Sequence, residues 1–130
     1  MQERTKEEVA LIRWRYPEAE YREEGQWIRI PSYPLPDGWN RLSTQVALQI
    51  PSGYPGAPPY GIYVPAGLQF KGAAPKNYTE PAGNHPPFPG TWGVFSWTPE
   101  NGWRATADLR DGSNLLNWVM GFADRFKEGQ

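Results

Sequence analysis

The chain has 130 residues, a formal charge of -1 at pH 7 and no cysteine. That length fits one domain with a real core, the near-neutral balance without a Lys/Arg cluster argues against a nucleic-acid binder, and the missing thiols exclude disulfides, thiolate nucleophiles, thiolate metal sites and redox pairs. Only 38% of residues are apolar, a deficit partly offset by 7 Trp, 7 Tyr and 5 Phe, each of which brings a large area to bury.

Thr5-Lys6-Glu7-Glu8 has the form of a capping box, Thr5 accepting from the Glu8 amide and Glu8 reaching back. The helix it opens is expected to run to about Tyr16, with Val9, Ile12 and Tyr16 facing the core, Leu11 beside them and Pro17 as the stop. A strand from Glu18 to Arg22, a turn at Glu24-Gly25 and a strand from Gln26 to Ile30 follow, Ile28 and Ile30 lying opposite Trp27 and Arg29. Pro31 to Trp39 reads as a loop ending in a Pro-Asp-Gly turn.

From Thr44 onward, Val46, Leu48 and Ile50 alternate with Gln45, Ala47 and Gln49, the period of a strand with one buried face. A further strand places Tyr60, Ile62 and Val64 on one side. Between the two lies Tyr54-Pro55-Gly56-Ala57-Pro58-Pro59, where prolines and glycine build a fixed corner. Pro65 to Pro89 reads as a long irregular segment, a functional loop or a flap, which Tyr78 and Phe88 could pin to the body.

Thr91 to Trp97 is expected to be a short extended piece, Trp92, Val94 and Ser96 alternating with Gly93, Phe95 and Trp97. Pro99 to Gly102 turns the chain, and Asp108 or Asp111 caps a last helix over about Asp111 to Arg125. Leu115, Val119, Phe122 and Phe126 form its spine, widened by Leu116 and Ala123. The order of elements is that of a single α+β domain over residues 1–130: a helix, a four-strand antiparallel meander, a long Pro-rich loop and a terminal helix. No apolar run reaches bilayer length and no signal segment opens the chain, so a cytoplasmic protein without membrane contacts is expected.

Candidate chemistry is sparse. His85 is the only histidine, too little for a metal site, and its expected role is to bond a loop carbonyl and fix the Pro-rich segment. The phosphate-loop, dinucleotide-loop, zinc-hydrolase and serine-elbow patterns are missing, so no cofactor is expected. Helix capping accounts for the Asp108, Arg110 and Asp111 cluster more simply than an acid-base pair.

Taken together, the corner Tyr54-Pro55 to Pro58-Pro59, the pair His85-Pro86 and the late Trp103 resemble the ubiquitin-conjugating (E2) superfamily, particularly its bacterial E2-like members. In that family a Tyr-Pro-x-x-Pro-Pro corner joins the third and fourth strands, and a His-Pro-Asn motif precedes an active cysteine and then a tryptophan. The resemblance covers the chain from its first helix to about Leu109. It implies a UBC-like fold, and two departures decide what it implies about activity. Phe95 stands where the thioester-forming cysteine belongs, and Pro87 where the asparagine belongs. A phenyl ring cannot carry a thioester, and proline offers no donor to an oxyanion.

The resemblance therefore implies a pseudoenzyme, an E2-like fold that binds a ubiquitin-like protein, an active E2 or an E1 partner in a bacterial ubiquitin-like conjugation system. Two alternatives remain at this stage. One is a Pro-rich peptide-binding variant of the same fold; the other is a cryptic hydrolase or acyltransferase using His85 and Ser96. Six tryptophans, Trp14, Trp27, Trp39, Trp92, Trp97 and Trp118, exceed what one core face can take, which points either to an interface or to burial under the chain's own loops.

Overall fold

Alternation gives each strand two faces, and in this chain both are covered. The computed structural model describes residues 3–99, 102–108 and 111–129. Its elements are α1 (Glu3–Arg15), β1 (Glu20–Arg22), β2 (Trp27–Pro34), β3 (Ser43–Gln49), β4 (Ile62–Pro65), β5 (Tyr78–Thr79), β6 (Trp92–Phe95) and α2 (Leu115–Glu128). The six strands form one antiparallel sheet in the order β1-β2-β3-β4-β6-β5. The α+β class and the four-strand meander of β1 to β4 thus hold. The sheet is two strands wider than expected, because β6 adds beside β4 and β5 beside β6.

One face carries the main core. Ile28 pairs with Leu48, Ile30 with Val46 and Ile62 with Phe95. These side chains pack with Val9 and Ile12 of α1 and with the spine of α2. That spine is as expected: Leu115, Val119, Phe122 and Phe126 are all fully buried. The other face holds a second cluster in which Trp27, Ala47, Tyr63 and Trp92 pack under Ala82 and Phe88 of the Pro-rich segment. That segment is therefore a third layer over the sheet, with Phe88 pinned by Trp92 at 6.0 Å between ring centroids.

Several expectations are corrected. The described part of α1 already begins at Glu3, so Thr5 lies inside the helix rather than at its cap, and Thr5 and Glu8 are both buried. Rather than stopping at Ile30, β2 continues through Pro31 to Pro34, with a register shift between Ile30 and Tyr33 that lets Pro31 sit in an irregular stretch, while Pro34 ends the strand opposite Ser43. Tyr60 does not share the buried face of Ile62 and Val64: it precedes β4 and is 56% exposed. Gly61 turns the chain there at φ 64°, where a Cβ would stand 2.3 Å from the Phe95 carbonyl oxygen.

The last extended piece is shorter than read, spanning Trp92–Phe95 and leaving Ser96 exposed. α2 starts at Leu115, and its N-cap is Asn114, whose side chain accepts from the Asn117 amide at 2.8 Å. Neither Asp108 nor Asp111 caps it, and Arg110 lies outside the described residues. Of the seven tryptophans, Trp27, Trp39, Trp92 and Trp118 are buried, Trp97 and Trp103 half-buried and Trp14 exposed. Burial under the chain's own elements therefore accounts for all but Trp14. No helix among the described residues is long and apolar enough to cross a membrane.

Candidate functional site

The proline corner is tied to both helices through one carboxylate. Glu8 points inward from α1 because its neighbours Thr5, Val9 and Ile12 share that buried side. Its Oε1 accepts from the Tyr54 hydroxyl at 2.5 Å and from the backbone amide of Leu115 at 2.6 Å, and Oε2 accepts from Arg4 Nε at 2.8 Å. The carboxylate thus satisfies an unpaired amide in the first turn of α2, where a negative charge is favoured. Arg4 also donates to the Thr106 carbonyl, drawing the segment before α2 into the same knot.

Trp103 completes this arrangement. Its indole donates to the Pro55 carbonyl at 3.0 Å, and its ring lies 5.7 Å from Tyr54 and 5.8 Å from Trp118. Burial and then the Glu8 carboxylate push the Tyr54 hydroxyl well above its ordinary pKa, so it remains a donor. Trp103, distant in sequence, is therefore brought against Tyr54 and Pro55. Pro59 is buried as well, whereas Pro58 faces outward.

Pro58 lines a cleft of about 390 Å³ together with Pro51, Tyr60, Tyr63 and Asn84. One wall is the corner; the other is the Pro-rich segment, held by a hydrogen bond of 2.7 Å from Asn84 to Gln49 Oε1. Burial raises the Tyr63 pKa, offset in part by Asn84. The exposed Tyr60 ring stands at the rim of this cleft, which adjoins the corner motif.

His85 follows Asn84 and plays the local part expected of it. Nδ1 stands 2.6 Å from the Pro86 carbonyl and Nε2 3.0 Å from the Gly90 carbonyl, so the ring staples the segment around Phe88. Pro86 is buried beneath it. Ser96 lies elsewhere, on the wall of a polar cleft with Asn77, Trp97, Asp124 and Glu128. No hydrogen bond joins His85 to Ser96 among the described residues, and the histidine does not line that cleft.

Phe95 sits in β6, fully buried, and lines neither the corner cleft nor the cleft at Ser96. Its ring is 4.9 Å from Tyr78, 6.2 Å from Trp39 and 6.0 Å from Phe126, and the Arg125 guanidinium stacks on it at 4.6 Å. Arg125, itself buried, spends its donors on the carbonyls of Lys76 and Gly129. Sequence reading missed both this arginine and the long-range use of Glu8. The available signal was a charged residue on the apolar stripe of each helix. No group of three or more His, Asp or Glu able to hold a metal exists among the described residues.

Comparison with protein-family models, with curated proteins and with solved structures returned no match. The fold and the site together define an α+β protein whose sheet is buried on both faces and whose corner cleft opens to solvent.

Proposed function

We propose that this chain is a noncatalytic, E2-like accessory protein that binds a ubiquitin-like modifier or its conjugation partners in a bacterial ubiquitin-like system. The reading starts from the resemblance carried by the Tyr54-Pro55 to Pro58-Pro59 corner, His85-Pro86 and Trp103. One structural observation supports its noncatalytic half: the position matching the family's nucleophile is Phe95, a ring with no reactive atom, enclosed by Trp39, Tyr78 and Phe126. A covalent carrier needs an exposed, activated nucleophile at that point; a binding module needs only a surface. The corner cleft with Tyr60 at its rim supplies one.

Titration of the ¹⁵N-labelled chain with bacterial ubiquitin-like proteins, including any encoded near its gene, is the direct test. Saturable shifts at the amides of Tyr60, Gly83 and Asn84 are expected, with no covalent adduct when activating enzyme and ATP are added. Absence of any shift with every such modifier, or formation of an adduct, removes the proposal.

The cleft also favours a second reading, a Pro-rich peptide binder. Two tyrosines, Tyr60 and Tyr63, lie between prolines on its walls, and polyproline segments dock in aromatic-lined grooves of this kind. Short Pro-rich peptides that shift the same amides more strongly than the folded modifier would select this alternative.

A further inference from the structure

Where the chain leaves β6 it borders a polar cleft of about 560 Å³, whose other walls are the residue before β5 and the last turns of α2. That volume falls among small-molecule sites, which span about 300–1,000 Å³. The Ser96 amide donates to the Asn77 carbonyl at 2.8 Å, pinning the two strand ends together at the cleft, and Asn77 holds φ 55° there. The side chains of Asn77, Ser96 and Thr98 are exposed, line the cleft and hydrogen-bond to no other side chain or backbone group among the described residues.

Trp97 is seated beside them by its rim. Gly121 of α2 makes the room: a Cβ there would stand 3.0 Å from Trp97 Cη2 and 3.4 Å from Cζ2, so the benzo rim of the indole, not a face, meets the helix. The ring is steeply inclined to its neighbours, at 69° to Trp118 and 82° to Phe122. It is half-buried and lines the cleft, and its N-H, unlike those of Trp39, Trp92 and Trp103, has no partner among the described residues. Arg125 lines the same cleft from within the fold. The Phe95 ring and the carbonyls of Lys76 and Gly129 fix its guanidinium and occupy only part of its donors.

Asp124 and Glu128 line the α2 side. Both are exposed and neither forms an ion pair among the described residues. They stand one turn apart at the C-terminal end of α2, where like charges repel and the helix dipole disfavours anions, so the helix itself gains nothing from them. The buried guanidinium is screened less than the two surface carboxylates, which brings the opposing fields near balance and selects neither a strong anion nor a strong cation. What remains is a set of donors and acceptors side by side, and a hydroxyl answers to both. We propose that this cleft binds a neutral sugar, its hydroxyls bonded to Asp124, Glu128, Asn77 and Arg125 and a C-H face of its ring laid against Trp97. An apolar ring surface with a few convergent polar groups around it is what such a ligand requires. The inference does not rest on modifier binding, since this cleft and the corner cleft share no lining residue.

The probes are maltose, cellobiose, lactose and diacetylchitobiose, each titrated into the ¹⁵N-labelled chain. At least one is expected to shift the Asn77, Ser96 and Trp97 amides and the Trp97 indole N-H saturably, while the amides of Tyr60 and Asn84 at the corner cleft stay in place. The double variant Asp124→Asn/Glu128→Gln keeps the shape of both side chains and removes two charged acceptors, so it is expected to weaken that binding at least about tenfold. Both positions are exposed, and circular dichroism of the variant serves as the folding control. No saturable shift with any of these sugars, or unchanged affinity in the double variant, overturns the proposal. A stronger response of the same amides to arginine amide or to acetate than to every sugar likewise overturns it, by assigning the cleft to a cation or to an anion.

Discussion

The Tyr54 hydroxyl joins the proline corner to α1 through Glu8, whose carboxylate also accepts from the Leu115 amide of α2. Removing the hydroxyl leaves a buried carboxylate one donor short, so Tyr54→Phe is expected to cost about 2 kcal/mol, read from urea unfolding with an unchanged m-value. At Phe95 the question is chemical. Phe95→Cys puts a thiol at a fully buried position, so it is expected to resist iodoacetamide in the native protein and to form no thioester with an activated modifier. The same change creates a cavity and lowers stability by about 3 kcal/mol. Rapid native labelling of the cysteine would show that the site opens. The sequence disclosed that Phe95 is not a nucleophile and that Tyr54 opens a fixed proline corner. It could not disclose the partner of Glu8, because a Thr-x-x-Glu pattern reads as a local cap until the amide of Leu115, 107 residues away, is brought to it.

At the scale of elements, α2 shows what periodicity settles and what it leaves open. Its spine of Leu115, Val119, Phe122 and Phe126 was legible because the apolar spacing is strict. Its start was not, since Asp111, Ser113 and Asn114 are all acceptable caps. The arrival of Glu8 at the Leu115 amide and the bond from the Arg104 amide to Ser113 Oγ leave Asn114 in the capping place. Asn114→Ala is therefore expected to cost about 1 kcal/mol, whereas Asp111→Ala, exposed and outside the helix, should fall within about 0.5 kcal/mol of the parent; thermal unfolding of the two variants side by side separates the assignments. Similarly, Pro31 read as the start of a loop after Ile30, and the register shift before Tyr33 explains how β2 carries it on to Pro34.

Across the whole molecule, three buried or half-buried tyrosines set the alkaline limit. Burial, first, raises Tyr33, Tyr54 and Tyr78 well above the usual phenol range, with Glu8 and Glu80 adding to the last two. The native state keeps these protons after the unfolded chain, with phenols near about 10, has released them. Stability is therefore full below about pH 10 and falls as pH rises beyond it. The urea midpoint should decline from that point, and tyrosinate absorbance at these rings should appear only as the fold is lost. Smooth ionisation near the ordinary value with intact tryptophan fluorescence would contradict this. The alternation that revealed one sheet face also marked Trp27 and Ala47 as lying on the other, but nothing in it said that Ala82 and Phe88, far onward in the chain, would roof them. That roof decides how this sheet meets the outside. A visitor approaching from that side encounters backbone turns and prolines held by His85, not strands. Discrimination there is written in the kind of chain that tolerates substitution most readily, so two relatives could keep an identical sheet and still greet different visitors.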